Sequence, residues 1–301
     1  MSRLPARPDG LATPYLMVAP FFVLFGVFGI FPLLYTAWVS LHHWNLVEGG
    51  GQFAGTANYR TLFADPHFYN ALANTIGIFL VATVPQLLLA LGIAALLDRH
   101  SRGRAGWRAA VLLPNIVPVV SVALIFTELF GRDYGLVNRA LATVGVGPVD
   151  WQANAWSAYL GIATMVVWRW AGYNALLYLA AMQSVPRELH EAAELDGASR
   201  WRSFWAVTVP GIRPTLLFTA VVSTIGGLQM FTEPQLFDAS GVAGTGGNDR
   251  QFQTLVMYLY ENGFSRFDAG YAAAISWVVF LLCVVLVLVG VALLRRLVAR
   301  A

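Results

Sequence analysis

Apolar residues along this chain gather into six long blocks separated by shorter polar stretches. The blocks cover residues 13–40, 71–97, 108–130, 156–182, 212–236 and 270–294. A bilayer has a hydrocarbon core about 30 Å thick, which a helix of roughly 20 apolar residues can cross. Because every block reaches that length, the pattern predicts an all-α, polytopic membrane protein with about six transmembrane helices, forming a single domain over residues 1–301.

Two local signals refine this prediction. The first block is too long for a secretory signal peptide and lacks a small-residue cleavage site, so we expect it to remain as a span. Prolines in or near the blocks should kink or break the helices, some of them only for packing. These prolines are Pro20, Pro32, Pro85, Pro114, Pro118 and Pro234. The glycine-rich stretch GVAGTGGNDR predicts a mobile turn in the last long loop.

Composition narrows the possible functions. The chain is 57% hydrophobic and 12% charged, whereas soluble proteins carry about a quarter charged residues. All 19 basic residues are arginine, and without lysine the chain cannot form the phosphate-binding loop of ATPases. The arginines flank apolar blocks, which favours a role in membrane topology over a nucleic-acid partner. Because Cys283 is the only cysteine, an intrachain disulfide is ruled out, and this residue is expected to be lipid-facing or helix-packing filler.

The arginines also predict an orientation. Thirteen lie at the two chain ends and in the loops after the second and fourth blocks, five lie in the other loops, and Arg169 lies within a block. Cytoplasmic loops carry an excess of arginine and lysine. We therefore expect a multi-pass protein of the cell membrane with both termini, and the loop after the fourth block, in the cytoplasm.

That cytoplasmic loop, about residues 186–210, contains the most polar helix-forming sequence between blocks. A proline precedes a predicted helix over 187–195, and Gly197 follows where a left-handed residue ends helices. Ser199 can cap a second helix over about 200–209, which Pro210 is expected to end. Two short helices with a bend are predicted; one alternative is an amphipathic helix lying on lipid headgroups.

The loop also carries a strictly spaced pattern: EAA, three residues, G, nine residues, V, one residue, then VP. This pattern resembles the EAA loop of ABC importer permeases, with valines where that family has isoleucine and leucine. The resemblance implies that the loop docks on an ATPase. It assigns this coupling role to Glu191, Ala192, Ala193, Asp196, Gly197, Val207 and Pro210.

Most of the chain is similar to the maltose-type, sugar-importing branch of these permeases, from the WRWAGYNALLYLAAMQSVPRELHEAAELDGAS stretch to FTEPQLF, YLYENGF and GYAAAISW. The resemblance implies the type I ABC importer permease fold and no cofactor or catalytic activity on this chain. It also implies a second permease in a heterodimer, two ATP-binding subunits that use ATP and Mg, and an extracytoplasmic sugar-binding protein.

Polar groups within the spans are costly and therefore mark candidate pathway residues. Sugars offer hydroxyls to polar groups and C–H faces to aromatic rings. The candidates are Trp168, Arg169, Trp170, Tyr173, Asn174, Gln229, Phe231 and Glu233.

Structural alternatives stay open for these residues. Arg169 can pair with Glu128 or Glu233 to hold the bundle, or reach a watery cavity without contacting cargo. At most one of the two tryptophans is expected to line a cavity, because they point to different helix faces. Gln86 is expected to form a helix–helix hydrogen bond.

The pattern as a whole predicts a transport subunit that imports a di- or oligosaccharide. The five histidines lack metal-ligand spacing, and no group of residues resembles a catalytic site. A permease for a non-sugar solute is one alternative. A gradient-driven secondary transporter is another, although it would require a buried acidic relay and would not explain the EAA spacing.

Overall fold

The structure is a computed structural model that describes residues 12–99, 103–238 and 241–299. Helices dominate it, as the sequence predicts, with one small hairpin of β1 (His42–Asn45) and β2 (Gly49–Phe53) that the sequence analysis missed. The helices before residue 150 are α1 (Ala12–Phe25), α2 (Phe31–Ser40), α3 (Ala57–Ala64), α4 (Pro66–Arg99), α5 (Arg104–Ile116), α6 (Val119–Leu129) and α7 (Leu136–Thr143). The later helices are α8 (Ala155–Met182), α9 (Arg187–Leu195), α10 (Arg200–Ser203), α11 (Val209–Gly211), α12 (Arg213–Leu228), α13 (Thr232–Phe237), α14 (Leu255–Tyr260) and α15 (Ala269–Ala299).

Among the described residues, three helices are long and apolar enough to cross a membrane: Tyr15–Ser40, Pro66–Asp98 and Ala269–Ala292. Two bent pairs, Ala105–Ile116 with Val119–Leu129 and Arg200–Gly211 with Arg213–Leu228, raise the number to five. The fourth predicted block is the 28-residue helix α8, whose arginine, asparagine and aromatic residues lower its hydropathy. Every predicted block is thus helical, although its apolar character identifies at most five as spans.

Two of the blocks are broken. The third bends by 88° between α5 and α6 at Pro118, where a break was expected. The fifth stops at Leu228 and resumes at Thr232, which the sequence did not predict. By contrast, α4 continues through Pro85 without a break.

Pro210 also fails to end its helix. A π-helical turn over Phe204–Thr208 leads into α11, and the helical path continues to Gly211. The same arrangement occurs at Pro32, which follows the π-helical turn Gly26–Ile30. Proline lacks the N–H group that an α-helix requires, and a wider turn just before the proline accommodates the missing donor.

Helices α4 and α8 pack together along the centre of the bundle, α5, α6 and α12 pack on them, and α15 packs on α12 and α2. Close approach is possible at Gly172, where a β-carbon would lie 1.8 Å from the backbone oxygen of Val111 on α5. Three apolar clusters fill the interior, and Cys283 is buried in the cluster around Leu255 and Ile275, as expected of packing filler.

The hairpin, α7, α14 and the 241–254 loop lie together at one end of the bundle, termed the hairpin end. Residues 183–212, termed the loop segment, lie at the other end. The chain ends and residues 100–102, which carry several arginines used to predict orientation, lie outside the described residues.

A buried ionic network holds the hairpin end. Glu261, with a side chain 9% exposed, accepts hydrogen bonds from Arg250, Gln253 and Arg266, at 2.8 Å, 2.8 Å and 2.7 Å. Burial opposes ionisation of this carboxyl, but the bonds from Arg250 and Gln253 outweigh it and lower its pKa to about 2. The glycine-rich stretch expected as a mobile turn is held by the same network, since Gln253 donates to the oxygen of Gly244.

We predict that Glu261→Gln lowers the free energy of unfolding by about 3 kcal/mol, because it leaves the guanidinium of Arg250 buried without its counter-charge. Thermal unfolding in detergent should show a clearly lower midpoint. The matched control is Arg132→Ala, which breaks an exposed 3.3 Å pair with Asp150 and should change stability by less than about 1 kcal/mol. Equal midpoints for the two variants would contradict the prediction.

The same network predicts a pH dependence. Because the pKa of Glu261 is about 2 in the folded protein and 4.5 for a glutamate free of these contacts, its contribution to stability is complete above pH 4.5. It should be lost as the pH falls towards 2, where the carboxyl becomes protonated. The stability gap between the native protein and Glu261→Gln should therefore shrink over that range, and a gap that stays constant would exclude this carboxylate as the cause.

Candidate functional site

A cavity of about 270 Å³ lies in the middle of the bundle, between α4, α8 and the break after α12. Its polar and aromatic lining residues are Thr83, Gln86, Trp170, Tyr173, Asn174, Ser223, Gln229, Phe231, Thr232 and Glu233. Six of the eight predicted pathway residues therefore surround one space, and only Trp168 and Arg169 are not among them. The sequence analysis missed the hydroxyl residues of the lining, such as Ser223 and Thr232. Serine and threonine hydroxyls within a helix commonly bond its own backbone, so their presence in a span does not indicate a binding site.

Local geometry explains why these residues meet. Trp170, Tyr173 and Asn174 are three and four residues apart on α8, which places them on one helix face. Gln229 and Phe231 occupy the non-helical stretch between α12 and α13. Irregular backbone within a membrane is tolerated where it lines a cavity or is buried in protein, and this break lines the cavity.

Arg169 forms an ion pair with Glu233 rather than with Glu128. Its Nη1 lies 3.0 Å from Oε1 of Glu233, and the two side chains are 12% and 13% exposed. The guanidinium also lies 5.7 Å from the ring centroid of Trp170, within cation–π distance. This pair joins α8 to α13, which is one of the structural roles that the sequence left open.

The two tryptophans beside Arg169 face different surroundings. Trp170 lines the cavity, whereas Trp168 packs against Phe126 with ring centroids 5.6 Å apart. The expectation that at most one lines a cavity is confirmed. Gln86 is buried at the cavity and has no hydrogen bond to any described residue, so the expected helix–helix bond is wrong. Asn174, equally buried, likewise has no described partner.

The loop segment folds as two short helices with a bend, as predicted. Helix α9 has the predicted bounds, and Gly197 adopts a left-handed φ of +75°. The side chain of Ser199 accepts a hydrogen bond from the backbone N–H of Arg202 and caps α10. A hydrogen bond between Nδ1 of His190 and Oγ of Ser203, 3.2 Å apart, joins the two helices.

The predicted coupling residues divide between two surfaces. Glu191, Ala192, Asp196 and Gly197 are exposed, and Ala193 is half-buried. Val207 and Pro210 are also half-buried, and Val207 packs against the apolar cluster around Tyr178. Helix α9 has no buried residue and exposes the apolar side chain of Leu195 at 89%. The first group therefore offers a rigid acidic and apolar surface, while the second group anchors it.

Comparisons with known proteins agree with this geometry. Residues 86–300 match the family model described as "Binding-protein-dependent transport system inner membrane component". The lactose transport system permease protein LacF of Rhizobium radiobacter is 36% identical over 279 residues, 90% of each chain. The sn-glycerol-3-phosphate transport system permease protein UgpA of Escherichia coli O6:K15:H31 is 34% identical over 278 residues, 92% of each chain.

A solved structure is similar as well. A chain in the crystal structure of a bacterial alginate ABC transporter, in complex with an alginate pentasaccharide-bound periplasmic protein, superposes with a TM-score of 0.79 over 94% of both chains. At 22% identity this likeness shows the fold alone, that of an ABC importer permease. The family match and the two relatives decide the assignment: this chain belongs to the binding-protein-dependent transport system inner membrane components, the permease subunits of ABC importers.

Proposed function

We propose that this permease carries a sugar, a di- or oligosaccharide, through the cavity between α4, α8 and the break after α12. The observation that carries the proposal is the lining itself, which combines the aromatic rings of Trp170, Tyr173 and Phe231 with the side-chain amides of Gln86, Asn174 and Gln229. Aromatic faces suit the C–H surfaces of a pyranose, and amides can both donate to and accept from its hydroxyls.

The names of the relatives support this cargo class. One relative is named for lactose and another for sn-glycerol-3-phosphate, so both carry hydroxyl-rich solutes, of which one is uncharged and one anionic. A non-sugar solute is the alternative within the family. A gradient-driven secondary transporter fits less well, because it would require an acidic relay and Glu233 is the one carboxylate among the described cavity-lining residues.

The loop segment supplies the proposed contact with the motor. Its exposed surface around Glu191 is suited to a groove on an ATP-binding subunit, two copies of which would use ATP and Mg. The seven coupling residues, Glu191, Ala192, Ala193, Asp196, Gly197, Val207 and Pro210, divide into contact and anchoring groups as described. The lipid-surface alternative fits Trp201 and Trp205, which are exposed on the second helix, better than it fits acidic α9.

The remaining partners follow from the same reasoning. A second, different permease would complete the pathway, and the first span, with none of its most apolar window buried, offers a surface to that subunit or to lipid. The family description supports an extracytoplasmic binding protein, which in this assembly delivers the sugar at the hairpin end. Residues 1–301 would form one permease domain with both termini and the 186–210 coupling loop in the cytoplasm.

Glu191→Arg tests the docking surface. Reversing this exposed charge should leave the protein inserted but lower sugar uptake by at least about tenfold, because a like-charged or unpaired group at an interface is costly. Uptake and ATP hydrolysis are measured in proteoliposomes that contain the whole complex. Glu48→Arg, the same change at an exposed site of the hairpin end, is the control. Normal coupled uptake by Glu191→Arg would refute the docking role.

Trp170→Ala tests the cavity. Loss of this ring should weaken sugar transport about fivefold to tenfold through a raised KM, since an aromatic contact contributes about 1 kcal/mol. The control is Trp168→Ala, which removes a tryptophan two residues away that does not line the cavity. This variant should leave the KM unchanged. Both variants should still copurify with the ATP-binding subunits. Equal effects of the two substitutions would show that α8 packing, not the cavity, is responsible.

A further inference from the structure

The charge of the cavity is set by one part-buried ion pair, between Arg169 and Glu233. Glu233 is the only charged side chain among the described residues that line the space, and the other polar groups there are amides and hydroxyls. Its partner Arg169 is 12% exposed and is not among the lining residues, so the cation lies behind the carboxylate. A cargo that enters from the cavity meets the acidic partner first.

The contact between the two groups leaves one carboxylate oxygen of Glu233 without a hydrogen bond to a described residue. Only Oε1 of Glu233 receives Nη1 of Arg169, at 3.0 Å, and Oε2 has no hydrogen bond to a described residue. A carboxylate oxygen accepts hydrogen bonds and donates none. A sugar hydroxyl satisfies it, whereas a carboxylate, phosphate or sulfonate on the cargo is repelled by it.

Burial strengthens this discrimination. Charges interact more strongly where water is scarce than at an open surface, and an ion pair oriented this way presents its negative end to the cavity. The guanidinium does not line the cavity: its Nη1 is bonded to Glu233, its Nε is buried, and its Cζ lies 5.7 Å from the ring centroid of Trp170. The amides of Gln86 and Asn174, unpaired among the described residues, add neutral donors and acceptors.

From these contacts we infer that the cavity selects an uncharged, hydroxyl-bearing cargo, with Glu233 as the specificity-determining residue and Arg169 as its positioning residue. The inference rests on the proposed function, in which this cavity is part of the sugar pathway. It adds a choice between neutral and anionic sugars that the relatives' names leave undecided.

Two probes of matched shape provide the test. Methyl β-D-glucoside and methyl β-D-glucuronide differ only in a hydroxymethyl group and a carboxylate. Binding is measured by saturation-transfer NMR on the whole complex in nanodiscs, without the binding protein. The native complex should bind the glucoside at least about tenfold more tightly than the glucuronide, because the carboxylate of the latter faces Glu233.

Variants of Arg169 and Glu233 test whether this ion pair causes the preference for the glucoside. Glu233→Gln should reduce the difference to less than about threefold, since it removes the repulsion and releases Arg169. If that variant fails to fold, the charge-swapped double variant Arg169→Glu/Glu233→Arg keeps the pair and should favour the glucuronide. Glu128→Gln, the same change at a carboxylate outside the cavity lining, is the control and should keep the preference of the native complex.

The outcomes separate this inference from the proposed function. Equal or tighter binding of the glucuronide by the native complex, as would follow from a cation supplied by the second permease, would overturn the neutral-cargo inference and leave the sugar pathway intact. An unchanged preference in Glu233→Gln would overturn the role of this residue. Binding of neither probe, or binding unaffected by Trp170→Ala, would count against the cavity as a sugar site and so against both.

Discussion

Backbone groups released by a broken helix need partners inside a membrane, and this requirement organises the centre of the bundle. The fifth block is interrupted at residues 229–231, and other elements donate hydrogen bonds to a backbone oxygen in the break and to two at the end of α13, the short helix that follows. Thr254 donates to the oxygen of Met230 at 2.8 Å, Thr127 to that of Leu236 at 3.2 Å, and Gln152 to that of Phe237 at 2.6 Å. The break is therefore a fixed feature held by three separate parts of the chain, rather than a frayed helix end.

The candidate site depends on this fixed break. Because the chain resumes as α13 with Glu233 in its first turn, the carboxylate reaches Arg169 on α8, and Gln229 and Phe231 face the same space. The 241–254 loop that supplies Thr254 is itself held by Gln253 and the ionic network of Glu261. Polar contacts at the hairpin end thus support the position of a charged pair deeper in the bundle.

Features encoded within a few residues were predictable from the sequence. The bounds of α9, the cap at Ser199 and the left-handed Gly197 follow from local backbone chemistry, and all three are confirmed. Features that depend on distant partners were not. The break at 229–231 contains no proline, and the choice of Glu233 over Glu128 joins residues 64 positions apart in the chain. The prediction that Pro210 ends its helix was wrong because a π-helical turn just before it accommodates the missing N–H group.

The loop segment and the cavity are connected by two continuous helices. Helix α8 enters the segment at Met182 and carries Trp170 and Asn174, while α12 leaves it at Arg213 and ends at the break beside Gln229. Asn174 and Met182 are eight residues apart, or about 12 Å along the helix axis. Tyr178 and Thr219, joined by a 2.7 Å hydrogen bond, hold the two helices together near the segment, below the cavity. Helix α9 is therefore linked through α8 and α12 to both walls of the cavity, and the two walls are joined to each other by that bond.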